Sequence, residues 1–267
     1  MRQSTEAGLP MRRNRASDWR GGRRSCAVLV SCLAAVFSVP TSAQPAGNPG
    51  YDRPGLGFAP AVLRRADVTI EQGLPDWSRA DGVSLYDADS LFRAGIGHSL
   101  ELQLGTGWNR LDGPGEPVDG RADTSLGVKF APPATGNLSW GVLGSVELAD
   151  GARPFRAERS QYLLATSINW QRSMTHALGL YLETLHGDTD SQLVAVNAGW
   201  TLTDVLGVYV ELGLQHLDGC GHGSMGGGGL TWQATPRVQF DLSARHRLGG
   251  NADTWQAGVG IAVYLGR

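Results

Sequence analysis

The chain has 267 residues, of which 41% are hydrophobic and 18% charged, with a formal net charge of −2; this gives length for one or two domains and argues against a disordered chain. Its 38 glycines are about twice the usual share and follow no collagen period, which disfavours helices, where each glycine costs about 1 kcal/mol. The composition therefore points to tightly turned β-structure.

In chain order, the first feature is a targeting segment. A basic stretch ending "RGGRRS" precedes the apolar "CAVLVSCLAAVFSVP" and then "TSAQ", the layout of a secretory signal peptide with small residues at its cleavage site. Cleavage is expected after Ala43, and a start at Met11 in place of Met1 would give the same product. A twin-arginine signal in "RRSCAVL" and a lipoprotein at Cys32 are weaker readings. Loss of residues 1–43 removes seven arginines and two acids, which leaves 16 basic and 23 acidic residues and a charge of −7. Such a chain is a poor partner for nucleic acid. Only Cys220 of the three cysteines follows the cleavage site, so no internal disulfide is expected.

Residues 44–64 are expected to form a periplasmic N-terminal segment, and 65–267 the folded domain. No later run reaches the length of an apolar membrane helix. Instead, apolar and polar residues alternate with period two. In "RVQFDLSARHR", Val238, Phe240, Leu242 and Ala244 point one way and Gln239, Asp241, Ser243 and Arg245 the other. The same pattern marks about twelve segments: 66–75, 88–97, 99–109, 121–131, 138–149, 160–171, 176–186, 190–202, 205–217, 222–234, 236–247 and 253–264. Each has the length of a tilted membrane strand. Connections after even-numbered segments, such as "TLTD" and "ATPR", are short; several after odd-numbered ones, such as "LDGPGEPVDGR" and "ADGARPFRAERS", are long and polar. The expectation is an all-β, transmembrane, antiparallel up-and-down barrel in the outer membrane, with short periplasmic turns and longer external loops.

Aromatic placement agrees. Trp170, Trp200 and Trp232 stand just before short turns and Trp140 just after one, while Trp108, Tyr162 and Trp255 fall at the opposite strand ends. Two belts at headgroup depth account for this better than a soluble sandwich with tryptophans in its core.

The stretches "DRPGLGFAP", "LFRAGIGHSLELQLGTGW" and "DTSLGVKF" resemble the bacterial outer-membrane family named for the meta-pathway of phenol degradation, whose members are described as transporters. The resemblance implies an envelope channel and favours hydrophobic or aromatic solutes, whereas the excess of carboxylates on the expected inner wall favours neutral or cationic ones.

If the apolar face meets lipid, the polar face lines a lumen carrying Glu71, Glu101, Asp123, Glu147, Glu183, Glu211 and Asp241, interspersed with Arg93, Lys129, Arg245 and Arg247. Such charges either tune permeation or pair across a narrow bore and satisfy one another. Passive transport of a small solute is the expected function, without enzyme activity, cofactor or resident metal. The implied partners are the solute, outer-membrane lipid and the barrel assembly machinery. An alternative is a lipid hydrolase using His222 and Ser224, which share a face two residues apart, although a triad needs a further group to orient the histidine; a structural or adhesive barrel is another. His216, Cys220 and His222 are within metal-ligand reach in sequence, but no second cluster accompanies them.

Overall fold

A computed structural model describes residues 50–267. The expected signal peptide and its cleavage site lie outside these residues.

The described chain forms β1 (Val68–Gly73), β2 (Asp76–Ala80), β3 (Val83–Asp87), β4 (Ser90–Gly95), β5 (Leu100–Thr106), β6 (Trp108–Asp112), β7 (Val118–Arg121) and β8 (Thr124–Phe130). It continues with β9 (Leu138–Leu148), β10 (Gln161–Ser173), β11 (His176–His186), β12 (Ser191–Thr203), β13 (Leu206–Leu217), β14 (Gly221–Thr235), β15 (Val238–Gly250) and β16 (Trp255–Tyr264). Consecutive barrel strands pair antiparallel in the order β1, β4, β5, β8 and then β9 to β16, and β16 returns to β1 with Thr69 opposite Tyr264. The result is a closed twelve-stranded barrel, as the alternation predicted. Closure leaves the barrel itself without an edge for other chains to pair with.

The period-two pattern sorts the faces as expected. Leu102, Leu126, Leu164, Leu212 and Leu242 are exposed on the outside, while Gln103, Ser167, Glu211, Asp241 and Ser243 on the same strands are buried inside. Water would oppose so broad an apolar exterior, and lipid favours it. Trp140, Trp170 and Trp232 are exposed near the short turns, and Trp108, Tyr162 and Trp255 near the opposite ends. Trp232 stacks on Phe240 at 5.7 Å and Trp200 meets His176 edge-on at 6.4 Å.

Two expectations need correction. The first concerns the long-loop end. Residues 76–87, read as a loop between the first two segments, form the β2–β3 hairpin, and much of "LDGPGEPVDGR" is β6 and β7. Asp81 and Gly82 both take positive φ, 49° and 81°, the conformation that makes Asp-Gly a two-residue hairpin turn. The first four barrel strands thus continue beyond the barrel as a four-stranded flap, β2–β3–β6–β7, joined to the wall where Trp77–Arg79 pair with Ala257–Trp255 of β16. Each strand is interrupted at a similar level: at Leu74–Pro75, where proline offers no ladder N–H, at Ala88–Asp89, at Gly107 and at Ala122–Asp123. Backbone bonds from Gly73 N to Asp89 O, Ala88 N to Trp108 O and Ala122 N to Gly107 O knit the breaks into one line.

The second correction concerns the N-terminal segment. Its described part is not outside the barrel: residues 50–63 run inside the lumen, without joining the sheet. Tyr51, Leu56, Phe58 and Leu63 are each at most 5% exposed. Tyr51 donates to Arg237 O beside a short turn, Leu56 N reaches Glu211 deep in the barrel, and Leu63 N reaches Glu101. The physical reason is that the segment carries four large apolar side chains with Asp52 and Arg53, and the lumen offers both an apolar wall and opposite charges. Phe58 packs edge-on against Tyr181 at 5.9 Å, in a cluster with Leu56, Leu143, Leu193 and Met225 from β9, β12 and β14.

Candidate functional site: the plugged lumen

The bore is built by side chains that alternation aims inward, and the N-terminal segment divides it. The deepest group lies between β1, β4, β5 and β8. Register places Arg93 opposite Gln103 and Glu101 opposite Lys129, so acids and bases stand on neighbouring strands. Arg93 bonds Glu71 at 2.7 Å and Glu101 at 2.8 Å, and lies 3.4 Å from Asp52. Lys129 bonds Asp52 at 3.0 Å and Glu101 at 3.1 Å, with its ammonium 5.5 Å from the centre of the Phe58 ring. Gln103 adds a bond to Asp52 at 2.9 Å. All are buried. Desolvating one of these ions alone would cost several kcal/mol, so each is tolerable only within the network.

A second group holds Arg53. Its guanidinium makes two 2.8 Å bonds to Asp76, the fork geometry that arginine favours, and also reaches Asp241 at 3.3 Å. The contact spans β2, β15 and the plug, and passes over Gly260 of β16, where a Cβ would collide with the guanidinium. A third group pairs Arg245 with Glu211 at 2.6 Å. These residues flank Gly227 in register on β13, β14 and β15, and a side chain at Gly227 would stand between them. Glu211 also accepts Leu56 N at 3.0 Å, so the pair doubles as a plug anchor.

Most of the acids and bases expected in the lumen are buried, but they do not form one continuous path. Glu71, Arg93, Glu101 and Lys129 converge; Glu211 meets Arg245; and Asp241 joins Arg53. Glu183 instead accepts from Tyr181 OH on its own strand. Asp123 lies near the long-loop end, where it accepts Gly151 N and Ala157 N and fastens the loop after β9. Glu147 is half-buried, opposite Gln161. Arg247 donates to Ala252 O at 3.2 Å. Reasoning on strands alone missed Asp52 and Arg53, because neither belongs to an alternating segment. The available signal was a charged pair embedded among Tyr51, Leu56 and Phe58.

Above the plug, a small cavity of about 90 Å³ remains at the long-loop end. Its floor is Arg53–Leu56 and its walls come from β2, β3, β12, β13, β14 and β16.

The alternative sites do not assemble among the described residues. Ser224 Oγ is directed to Gly249 O at 3.5 Å, and His222 packs against the His216 ring at 4.4 Å, so the pair lacks the serine–imidazole bond of a nucleophilic dyad. No group of three or more metal-ligating side chains converges among the described residues.

A closed, lipid-facing barrel with aromatic girdles and a polar interior defines a transmembrane β-barrel of the outer-membrane type. No family model matches the sequence, and no curated protein does. Solved structures match the fold. An outer membrane channel from Pseudomonas putida F1 superposes with a TM-score of 0.61 at 12% identity, covering 77% of this chain and 97% of that one. The NanC porin gives 0.54 at 8% identity, over 74% of this chain and 100% of its own. The KdgM porin gives 0.54 at 10% identity, over 75% and 100%. At these identities the likeness is one of fold.

Proposed function

We propose that the protein is a gated outer-membrane channel for passive passage of a small solute, with residues 50–63 as the gate. The observation that carries this reading is the way the bore is closed. The plug is held by side-chain bonds and packing without strand pairing, under a cavity that is open at one end. A segment so held can leave while the twelve-stranded wall stays intact. By the convention of such barrels, the long-loop end with its cavity faces outward and the short turns face the periplasm. Solute would enter the cavity and cross when the plug yields, down its own gradient, since nothing in the site handles a nucleotide.

The wall carries more carboxylates than bases, which favours neutral or cationic solutes over anions. The fold likeness to porins and the resemblance to the phenol meta-pathway family support the channel reading. The direct test is solute efflux from liposomes, comparing the mature chain with one lacking residues 50–63. The deletion is expected to raise flux severalfold while the barrel still shows the gel shift on heating typical of folded barrels. Absence of flux in both would overturn the channel reading.

Delivery requires processing after Ala43, with barrel insertion by the assembly machinery. Intact mass of membrane-extracted, unreduced protein is expected to correspond to a chain beginning at Gln44. A mass that retains residues upstream of Gln44 would overturn that cleavage.

A further inference from the structure

The outer face of the flap carries a groove that solute passage through the lumen leaves unused. Pro75, Tyr86, Ala88, Trp108, Arg110 and Asp112 line a space of about 420 Å³ at the level where the strands are interrupted. Strand pairing explains its shape. Phe92 lies opposite Leu104 and Ser90 opposite Thr106 in the wall, and Tyr86 opposite Arg110 and Ser84 opposite Asp112 in the flap. The same register therefore runs through the break and sets Ala88 beside Trp108. Asp76 opposite Asp87 likewise sets Pro75 on the other side of Ala88. Even-numbered residues of these strands face outward, as the exposure of Phe92, Leu104 and Trp108 shows. Small Ala88, between a proline ring and an indole, leaves the hollow.

Away from the barrel midplane, the chemistry of this outer face changes in a fixed order. Phe92 and Leu104 are exposed apolar wall, joined by exposed Leu74 beside the break. Trp108, in the aromatic belt, is 54% exposed, and Arg110 stands two residues, about 6.6 Å, beyond it. Arg110 is exposed and makes no hydrogen bond or ion pair among the described residues, although Asp119 stands opposite it on β7. Apolar surface, then flat rings, then a cation is the order of parts in an amphiphile with acyl chains, a ring and an anionic group. A free anion would gain one solvated arginine and meet the Asp112 carboxylate. A glycerophospholipid would use the apolar wall and the cation, but has no ring for Trp108 and Tyr86. A sugar has one: its C–H face suits the negative face of an aromatic ring, and its hydroxyls can donate to Asp112.

We propose that the groove holds the headgroup of a phosphorylated glycolipid of the outer leaflet. Its phosphate lies on the Arg110 guanidinium, a sugar ring lies against Trp108 and Tyr86 beside Asp112, and its acyl chains lie on Leu74, Phe92 and Leu104. The guanidinium offers phosphate paired donors in a fixed plane, and a basic group just beyond the apolar zone is placed to recognise lipid headgroups. The assignment takes from the channel reading only which end of the barrel faces outward.

Native mass spectrometry of the folded mature barrel in detergent counts bound lipid. The probes are lipid A with both phosphates, phosphatidylglycerol, and glucosamine 1-phosphate, which has the sugar and phosphate without the chains. One lipid A is expected to be retained, and Arg110→Gln should weaken it about tenfold, the size of one charge-assisted hydrogen bond. Phosphatidylglycerol should bind more weakly than lipid A, and the sugar phosphate should not be retained. Trp108→Leu, which keeps the belt apolar but removes the ring, should weaken lipid A severalfold and leave phosphatidylglycerol unchanged. Arg156→Gln, at an exposed position in the loop after β9 and outside the groove, should change neither. The gel shift on heating verifies that each variant is folded. Equal retention of lipid A and phosphatidylglycerol, lipid A binding that survives both groove variants, or a loss in Arg156→Gln as large as in Arg110→Gln would overturn the site. A sugar phosphate bound as tightly as lipid A would overturn the lipid assignment. Lipid A selectivity without solute flux in liposomes, even in the chain lacking residues 50–63, would leave the groove standing and remove the channel. Flux without that selectivity would do the reverse.

Discussion

The two halves of the wall follow different rules. β9 to β16 are 10 to 15 residues long and run the height of the barrel, several with a single bulge. β1 to β8 are four to seven residues long and are the halves of four broken strands. The interiors differ as well. The long-strand half supplies most of the apolar cluster around Phe58, whereas the broken half contributes Glu71, Arg93, Glu101 and Lys129. A smooth strand suffices where a wall only separates lipid from an apolar filling. Where the wall must seat charged groups of an internal segment and also carry a flap, the ladder is interrupted.

Removing one charge from the broken half is expected to have the largest effect. Arg93→Ala leaves buried Glu71 without an ion-pair partner, and Asp52 and Glu101 with Lys129 alone, at a cost of about 3–5 kcal/mol. The economical response is for the plug to leave and admit water. Protease cleavage within residues 50–63, with the heat-modifiable barrel preserved, is the expected readout; an intact plug at wild-type stability would mean that the charges contribute little to holding it. The long-strand half should fail differently. Leu212→Arg, on its lipid face, should cost about 2–4 kcal/mol of barrel stability, measured by urea unfolding in lipid vesicles, with no change in plug protection. Equal plug release in both variants would erase the distinction between the halves.

Gly227→Ala probes a place where the long-strand half also anchors the plug. The added Cβ meets the Ala244 carbonyl and Arg245, an overpacking worth about 1–3 kcal/mol, and it should raise amide exchange at Leu56 before it affects β1. A smaller effect, about 1 kcal/mol, is expected for Gly82→Ala, because φ there is 81°; it should appear as faster exchange confined to the β2–β3 hairpin. The smallest concerns pH. Asp150, outside the barrel wall, is held below the usual carboxylate range first by the Thr124 N–H and then by the Thr124 hydroxyl and Arg121. Its anchoring of the loop is thus complete above the ordinary carboxylate value and is lost as pH falls through the depressed one. Proton titration of Asp150 by NMR should show that depressed value, and Thr124→Val should raise it.

The long-strand half was almost wholly legible in the sequence. A period of two needs only local information, and Trp170, Trp200 and Trp232 report depth without reference to any other strand. The inward direction of Glu101, Lys129 and Asp241 followed from the same parity. Their partners did not, because Arg53 is 188 residues from Asp241 and nothing local in "YDRPG" marks it as interior. The flap was missed for another reason. Asp81–Gly82 is a hairpin signal in its own right, but the short pieces beside it, "DWSRA" and "VSLYD", are not long enough to stand out as membrane strands.

The clamp on Arg53 also bears on the order in which the chain is put together. Asp76 follows the plug closely, but Asp241 and the Gly260 floor belong to β15 and β16, the last strands to be synthesised. Bringing such distant parts of the chain together must first overcome the entropy of a loop nearly the length of the whole domain. The cradle for Arg53 therefore exists only once β16 has arrived beside β1, so the segment that enters the lumen first in sequence completes its docking last in time. During assembly the barrel passes through a stage in which its wall is nearly closed while its interior is still wet, and the seating of Arg53 marks the end of that stage.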